Sequence, residues 1–324
     1  MTRTHLPNSS GPVRWLLAGA VPCGAALLAG GLLAGCGTGP AATASPPSPT
    51  ASATASGSPS APASAGQVGS AAQPAGGRFS APLHISNPLF PLAVGSQFSY
   101  QGTIVDSEGT HEHSVVFTVT DLVKHVDGTE TVVALDQDYR EGTLQEQELA
   151  FFAQDDAGNV WNFGEYPEEY DNGKLTGAPS TWIRGTDGAY GGIHVLAHPR
   201  VGMQYREGLV PAIQFDDVSK VTSVSEHACV QSGCYKQIVV VDETSPNDPT
   251  SGHQIKYYAP GTGLVKVSAN GGDSQEFLQL AEAKHLSTAG LSKWRTEALA
   301  MDKRAYHVAG KVYGVTPPAR QAAQ

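Results

Sequence analysis

Hydrophobic and polar residues alternate with a period of two along most of the chain from Gln97 onward. Because neighbouring side chains of a β-strand point to opposite faces, this alternation predicts strands with one buried apolar face. The predicted strands are residues 97–105, 113–126, 130–140, 143–154, 160–165, 213–230, 235–243, 254–259, 263–268 and 275–283.

Turn-forming residues between these strands predict how the strands connect. Asp127-Gly128 is a hairpin signal, and Glu141-Gly142 and residues 155–159 turn the chain again. Consecutive hairpins predict a mainly β domain, an antiparallel meander that forms a barrel, a half-barrel or a strongly curved sheet. The strand–helix–strand rhythm of Rossmann-like and TIM-barrel folds does not occur.

The pattern changes to helical spacing near the C-terminus. Apolar residues recur there at Leu291, Trp294, Ala298, Leu299, Ala305, Val308 and Val312. Ser292 is a candidate N-cap, and Gly314 followed by Pro317 marks the end of the helix. We expect this amphipathic helix to pack on the sheet and cover one face of it. Its basic polar face makes a helix on the membrane surface the alternative.

The N-terminal segment predicts export and lipidation. Residues 1–14 carry two arginines and no acid, and residues 15–35 form an uncharged apolar run, which is typical of a secretory signal. The run ends in Leu-Ala-Gly-Cys36, which matches the lipobox of bacterial lipoproteins. We expect Cys36 to carry diacylglycerol and palmitate that anchor the protein on the outer face of the cell membrane. A transmembrane helix and a soluble secretory signal are the alternatives.

Composition divides the chain further. Residues 1–35 are the predicted signal peptide, and residues 36–81 the lipidated cysteine followed by a tether. Residues 37–77 are Gly, Ala, Ser, Thr, Pro, Gln and Val, a composition that does not form a packed core, so we expect this tether to be disordered. The predicted β domain spans residues 82–286, the helix that packs on it 287–316, and a disordered tail 317–324.

The formal charge of −10 argues against nucleic acid as a partner, because binding phosphates requires a basic face. The charge is unevenly distributed: residues 106–171 hold 17 acids against Lys124 and Arg140, whereas residues 284–320 hold seven bases against two acids. A solvated acidic face on which the basic helix packs is the simpler interpretation. Capture of a cation or a cationic ligand by the acidic face is the functional alternative.

Cys229 and Cys234 enclose four residues between two predicted strands. In an exported protein two cysteines this close usually pair, and Gly233 permits the tight turn. A redox role would favour two intervening residues, so we expect a structural disulfide.

Motifs for catalysis and cofactor binding are absent from the sequence: it has no Gly-x-Ser-x-Gly elbow and no glycine-rich phosphate loop. His194 and His198 have zinc-helix spacing but lack the glutamate that should follow the first histidine. His111 and His113 would share one strand face and could bind a metal if other segments supplied ligands, although a solvated edge is the simpler interpretation. We therefore predict no enzyme activity, no metal and no cofactor.

A glycine-rich stretch, residues 185–202, is predicted to form a long ordered loop, and loops of that length are often functional. If the protein binds a small ligand, we expect the site near this loop. The candidate ligand-binding residues are Trp161, Trp182, His194, His198 and Tyr205.

Residues 152–165, Phe-Ala-Gln-Asp-x-x-Gly-Asn-Val-Trp-x-Phe-Gly-Glu, resemble a motif of a family of uncharacterised bacterial secreted proteins and lipoproteins. Further matches extend over residues 87–267 and include Asn172-Gly173, Trp182 and the segment 256–261. The resemblance implies an exported β-rich domain and carries over no catalytic residue. The cysteine pair, His194 and His198 depart from the family pattern.

Three functions remain open at this point. The first is a lipid-anchored extracytoplasmic protein that binds or scaffolds an envelope partner without catalysis. The second is a carrier of a lipid or another apolar ligand between the curved sheet and the helix. The third is an envelope hydrolase, for which His194 or His198 would have to meet a carboxylate or hydroxyl in a pocket.

Overall fold

The computed structural model describes residues 76–322. The predicted signal peptide, Cys36 and nearly all of the tether therefore lie outside the described residues. The strands are β1 (Ser96–Asp106), β2 (Gly109–Val126), β3 (Thr129–Arg140), β4 (Thr143–Gln154), β5 (Val160–Asp171), β6 (Lys174–Gly177), β7 (Trp182–Ile183), β8 (Tyr190–Gly191), β9 (Ile193–Val195), β10 (Gln204–Val210), β11 (Phe215–Val230), β12 (Gly233–Thr244), β13 (His253–Ala259), β14 (Gly263–Asn270), β15 (Gln275–His285) and β16 (Arg320–Gln321).

The strands form one large antiparallel sheet in the order β6-β5-β4-β3-β2-β1-β15-β14-β13-β12-β11-β10-β8. Strands β1–β6 are one meander and β10–β15 a second, and pairing of β1 with β15 joins the two. The sheet is not closed into a barrel. The predicted mainly β fold, an antiparallel meander with one C-terminal helix packed on it, is confirmed.

The β2–β3 and β3–β4 turns have the conformation that their residues favour. Asp127 and Gly128 have φ values of 45° and 77°, and Glu141 and Gly142 have 50° and 72°. Two consecutive positive φ values are typical of type I′ turns, whose twist matches that of the flanking strands. These turns fix the register that places the side chains of β2, β3 and β4 on the two faces.

The glycine-rich segment 185–202 contains the short strands β8 and β9 and bridges distant parts of the sheet. β8 pairs with β10, and β9 pairs with β5. The Gly192 N–H donates to the backbone carbonyl oxygen of Glu207, and the Gly192 carbonyl oxygen accepts from the backbone N–H of Asn162, both at 3.0 Å. A Cβ on Gly192 would lie 2.1 Å from the Arg206 carbonyl oxygen, so glycine is required for this close approach.

Aromatic side chains fill one face of the sheet, which we call the inner face. Phe117 on β2 and Phe152 on β4 contact each other, and Phe90 packs on both. Across the sheet, the Tyr100 hydroxyl donates to the Leu264 carbonyl oxygen on β14. The inner face therefore holds an apolar core contributed by both meanders.

Helix α1 (Thr288–Val308) packs on the opposite, outer face of the first meander and is followed by the short helix α2 (Gly310–Tyr313). Ser287 is the N-cap and accepts from the Gly290 N–H, so the prediction of Ser292 as N-cap was wrong by more than one turn. The buried residues of the helix are Leu291, Ala298, Met301, Asp302 and Ala305. Among residues 76–322, no helix has the length and apolar character needed to cross a membrane.

Basic residues of α1 pair with acidic residues of the sheet. Arg295 binds Asp121, and Arg304 binds Glu168 at 2.8 Å. Lys124 on β2 forms the reverse pair with Asp302 on α1 at 2.7 Å. The basic helix therefore packs on the acidic strands as predicted. Its arginines bind the sheet, whereas the alternative of a membrane-surface helix would have them face the lipid.

The predicted disordered tail, residues 317–324, is corrected by the structure over residues 317–322. Arg320–Gln321 forms β16 and pairs with β2. Pro317 accepts a hydrogen bond from the Lys124 ammonium, and the Ala319 N–H donates to Asp302. The buried Lys124–Asp302 pair thus binds this segment, which composition could not reveal.

The N-terminal edge of the domain also differs from the prediction. Phe79 packs edge-on against Trp161 and Phe163, and Gln154 donates its N–H to Pro82. Arg78 lies 3.4 Å from Asp156. Residues 78 and 79 thus pack on the domain, ahead of its predicted start at residue 82.

Cys229 and Cys234 form a disulfide with an S–S distance of 2.01 Å. The two residues are directly paired at the end of the β11–β12 hairpin. The bond fastens the exposed end of that hairpin, as expected for a structural disulfide.

Candidate functional site

Two strands contribute closely spaced carboxylates to the inner face. Asp136 and Asp138 on β3 pair directly with Glu148 and Glu146 on β4, and paired residues share a face. Asp136 also pairs with Phe117, a residue of the inner face. All four carboxylates are buried. The predicted solvated acidic face is therefore wrong for these four residues, whose side chains are buried on the inner face.

A bulge in β5 adds Glu165, which is 1% exposed. The β4–β5 register shifts between Ala150 and Phe152, and Gly164 has φ 153° there. A Cβ at Gly164 would lie 2.7 Å from the Trp182 carbonyl oxygen, so the bulge requires glycine. The Trp182 indole donates to Glu165 Oε2 at 2.8 Å, and Asn162 donates to Oε1. The Gly164-Glu165 end of the sequence motif, together with Asn162 and Trp182, therefore fixes the position of one buried carboxylate.

Two further strands complete the arrangement. His113 on β2 and Glu276 on β15 are buried, and His113 Nε2 lies 2.8 Å from Glu276 Oε1 and 3.3 Å from Asp138 Oδ2. Gln254 on β13 donates to Glu276 Oε2 at 2.7 Å. We call the six buried carboxylates the acidic cluster: Asp136, Asp138, Glu146, Glu148, Glu165 and Glu276.

Burial dominates the electrostatics of the acidic cluster. Burial raises the pKa of Asp136 to about 8, and the Glu276 carboxylate adds to that rise. Burial also raises the pKa of Glu165 to about 8, although hydrogen bonds from Trp182 and Asn162 oppose it. The pKa values of Asp138, Glu146 and Glu148 rise well above their ordinary values, first through burial and then through neighbouring carboxylates. Negative charge in this cluster is therefore costly unless a cation compensates it.

A second polar group on the inner face contains the buried lysine Lys256. Its ammonium lies 2.6 Å from Glu243 and 4.0 Å from Glu207. Burial acts to lower the pKa of Lys256, but the two carboxylates outweigh burial and raise it above its usual value. Lys256 is thus a cation already compensated by Glu243 and Glu207, which leaves the acidic cluster with an excess of carboxylates.

His194 lies next to this group but lacks the geometry of a catalytic triad. His194 Nδ1 is 3.3 Å from Glu207 Oε2, and the Ser219 hydroxyl donates to the other oxygen of Glu207. The carboxylate therefore lies between serine and histidine, whereas a triad has the histidine between serine and carboxylate. Burial and the nearby Lys256 lower the pKa of His194 to about 3, so this imidazole stays neutral.

The predicted ligand-binding residues have different surroundings. Trp161 donates to Asp155 at 2.7 Å and belongs to the packed turn after β4. Trp182 supports Glu165, and Tyr205 is buried. His194 packs between Phe90 and Phe152, whereas His198 is exposed. The structure does not gather these five residues into one site.

Sequence reasoning missed the acidic cluster. Its signal was present as carboxylates two positions apart, Asp136/Asp138 and Glu146/Glu148, within apolar strands. His113 was assigned to a solvated edge together with His111, but His113 is buried and its carboxylate neighbours come from β3 and β15. Both errors arise because the period-two pattern does not show which face becomes enclosed.

The chain matches no protein-family model and no curated protein. It is similar to a solved structure from Bacteroides fragilis NCTC 9343 described as a candidate exported protein with a YmcC-like fold. The identity is 13%, the match covers 60% of this chain and 98% of that chain, and the TM-score is 0.36. A candidate lipoprotein from Parabacteroides distasonis ATCC 8503 is also 13% identical, with 61% and 99% covered and a TM-score of 0.30. These values assign no family and no ligand, so function must be argued from the site itself.

Proposed function

We propose that the protein is a lipid-anchored, extracytoplasmic binding protein that holds a cationic ligand in its acidic cluster without catalysing a reaction. The lipobox at Cys36 and the uncharged tether support anchoring on the outer face of the cell membrane. The disulfide between Cys229 and Cys234 is in keeping with an oxidising compartment.

One observation carries the binding proposal: six buried carboxylates share one region of the inner face. Uncompensated charge is expensive to bury, and folding gains nothing from collecting so many acids there. A bound cation removes that cost, because each carboxylate it contacts can ionise favourably. The arrangement is therefore suited to a compact cation that reaches the inner face.

The described residues give less support to the two other functions. The apolar cavity lined by Phe90, Leu92, Phe98, Tyr100, Phe117 and Leu264 has a volume of about 10 Å³, which is room for about one water molecule rather than an acyl chain. The outer groove between α1 and the sheet measures about 660 Å³, and its lining mixes apolar residues such as Trp294 with polar ones such as Gln147 and Lys293. Ser219, Glu207 and His194 lie together, but the carboxylate stands between the serine and the histidine, which differs from the order of a triad.

Thermal unfolding of the full-length protein, purified from membranes in detergent and treated with a chelator, tests the proposal. The probes are Zn²⁺, Mn²⁺, Ca²⁺ and spermidine, added at constant ionic strength. We expect at least one probe to raise the Tm by several degrees, and Glu148→Gln to reduce that rise. Glu112→Gln removes a matched charge from an exposed position and serves as the control. Equal Tm values with and without every probe would refute the proposed function.

A further inference from the structure

Three buried side chains from non-adjacent parts of the sheet converge on the inner face. His113 lies on β2, Asp138 on β3 and Glu276 on β15. One donor atom from each lies within 4.8 Å of the other two. His113 Nε2 is 3.3 Å from Asp138 Oδ2 and 2.8 Å from Glu276 Oε1. Ligands bound to one metal at 2.0–2.2 Å in tetrahedral geometry are separated by about 3.4 Å, which is close to the His113–Asp138 distance. The 2.8 Å contact between His113 and Glu276 is a hydrogen bond, which a bound ion would replace.

We propose that His113, Asp138 and Glu276 bind one divalent transition-metal ion such as Zn²⁺ through one imidazole nitrogen and two carboxylates. The inference rests on the proposed function and names the chemical class of its cation. Mixed nitrogen and oxygen donors suit Zn²⁺ and its first-row neighbours, whereas Ca²⁺ and Mg²⁺ prefer oxygen ligands only. Three protein ligands leave a fourth position for water or for a group of the ligand that the ion carries.

Unpartnered oxygens provide a second, independent observation. Neither carboxylate oxygen of Asp138 accepts a hydrogen bond from any residue in the described range 76–322, and the side chain is 6% exposed. Asp136 Oδ1 and Glu148 Oε2, in the same cluster, also accept none there. Buried acceptors are normally satisfied, so this group of exceptions points to a missing electropositive partner.

Glu276 is oriented as a ligating carboxylate should be. Gln254 donates to its Oε2 at 2.7 Å, which leaves Oε1 directed toward His113. Such outer contacts typically hold ligating carboxylates in place and tune the affinity for the metal. Gln254 is thus a positioning residue for the proposed site.

A second group of three candidate ligands, Asp106, Glu108 and His111, is less suited to a metal. The Arg140 guanidinium lies 3.0 Å from Asp106 and 3.2 Å from Glu108, so a cation already compensates these carboxylates. The group is also more exposed. Comparison of the two groups therefore favours the site at His113.

The test uses the chelated, full-length protein in detergent, purified without a histidine tag. Calorimetric titration with ZnCl₂ measures stoichiometry and affinity, and the visible absorption of the Co²⁺ form reports nitrogen and oxygen coordination. We expect one tight Zn²⁺ per chain, and at least tenfold weaker binding in each of His113→Gln, Asp138→Asn and Glu276→Gln. His198→Gln and Glu112→Gln alter exposed residues and should stay within twofold of the unmodified protein.

Circular dichroism without metal separates loss of the site from loss of the fold. Asp138→Asn removes a buried carboxylate and should leave the metal-free protein at least as stable, while its Zn²⁺ binding falls. Unchanged affinity in folded Asp138→Asn and Glu276→Gln variants, or the absence of stoichiometric Zn²⁺ binding by the unmodified protein, overturns the inference. Stabilisation by spermidine but not by Zn²⁺ would refute the metal site and support the proposed function. Stabilisation by none of the probes would refute both.

Discussion

At the scale of single residues, burial decides what a charge does in this protein. Lys124 is fully buried, with its ammonium 2.7 Å from Asp302, 2.9 Å from the Pro317 carbonyl oxygen and 4.1 Å from the ring centre of Tyr313. A lysine placed in this way connects β2, α1 and the C-terminal segment. The carboxylates of the acidic cluster are also buried, but none of them forms an ion pair with a lysine or arginine among residues 76–322. We therefore interpret the Lys124–Asp302 pair as structural and the acidic cluster as a binding site.

Lys124→Met should destabilise the domain strongly, by about 3–5 kcal/mol, because it leaves the Asp302 carboxylate buried without its cation. Lys303→Met changes an exposed lysine on α1, next to Asp302, and should change stability by less than about 0.5 kcal/mol. Urea unfolding of both variants measures the difference. A Lys124→Met protein as stable as the Lys303→Met control would show that the buried pair contributes nothing.

The pKa of Glu165 predicts how stability depends on pH. Burial raises this pKa from 4.5 to about 8, so between these values the folded state keeps a proton that the unfolded state has lost. Stability should therefore fall as pH rises through this range, by up to about 1.4 kcal/mol per pH unit for one proton. The neighbouring Asp217 carboxylate adds to the rise in the Glu165 pKa, and Lys256 opposes it.

Glu165→Gln should reduce this dependence, because it removes one of the titrating carboxyl groups. Urea unfolding of the chelated protein at pH 5.5 and pH 7.5 measures the stability difference, with Glu112→Gln as the exposed control. If Glu165→Gln and the control lose equal stability between the two pH values, Glu165 does not hold a proton in the folded state.

At the scale of secondary structure, the local sequence predicts the hairpin turns, the long strands beside them and the C-terminal helix. Asp127-Gly128 and Glu141-Gly142 adopt the positive φ values that their residues favour, and the strands on either side follow from the period-two pattern. The helix has the predicted period too, and its first residue was misplaced because Ser287 and Ser292 are both good N-cap residues. Elements that depend on neighbours in the chain were thus predictable.

Features that depend on distant residues were not predictable. β8 and β9 are two and three residues long and exist because β10 and β5 provide partners. β16 likewise depends on pairing with β2. The same reason hid the proposed metal site, because His113, Asp138 and Glu276 meet through the order of strands, which their spacing in the sequence does not show.

The bridge between β5 and β10 can be tested at Gly192. Gly192→Ala should destabilise the domain by about 3 kcal/mol, because the new Cβ would lie 2.1 Å from the Arg206 carbonyl oxygen. Gly310→Ala is the matched control: it has no atom within 4 Å of the new Cβ and lies in a helix, where alanine is favoured. Thermal unfolding compares them, and equal Tm values for the two variants would contradict the required close approach.

At the scale of the whole molecule, charge separates into an acidic cluster on the inner face and a basic helix on the outer face. Cleavage before Cys36, which we propose, would remove Arg3 and Arg14 and change the formal charge from −10 to −12. Because Arg295 and Arg304 pair with the sheet, Lys293 and Lys303 are the lysines of α1 that remain exposed to solvent, a small positive charge for binding anionic lipid. Attachment to the membrane is therefore expected to depend on Cys36 rather than on the folded domain.

Cys36→Ser should separate attachment from binding. A tether of 41 residues, 37–77, would reach roughly 35 Å as a flexible coil, so we expect ligand binding by the domain not to depend on the anchor. We expect Cys36→Ser to lose incorporation of a labelled fatty acid and to move from the detergent phase to the aqueous phase in a cloud-point partition, with unchanged Zn²⁺ affinity. Cys23→Ser, in the same apolar segment, should retain both label and partition. Fatty-acid labelling that persists in Cys36→Ser would contradict lipidation at this residue, because the thiol is the group that takes the diacylglycerol.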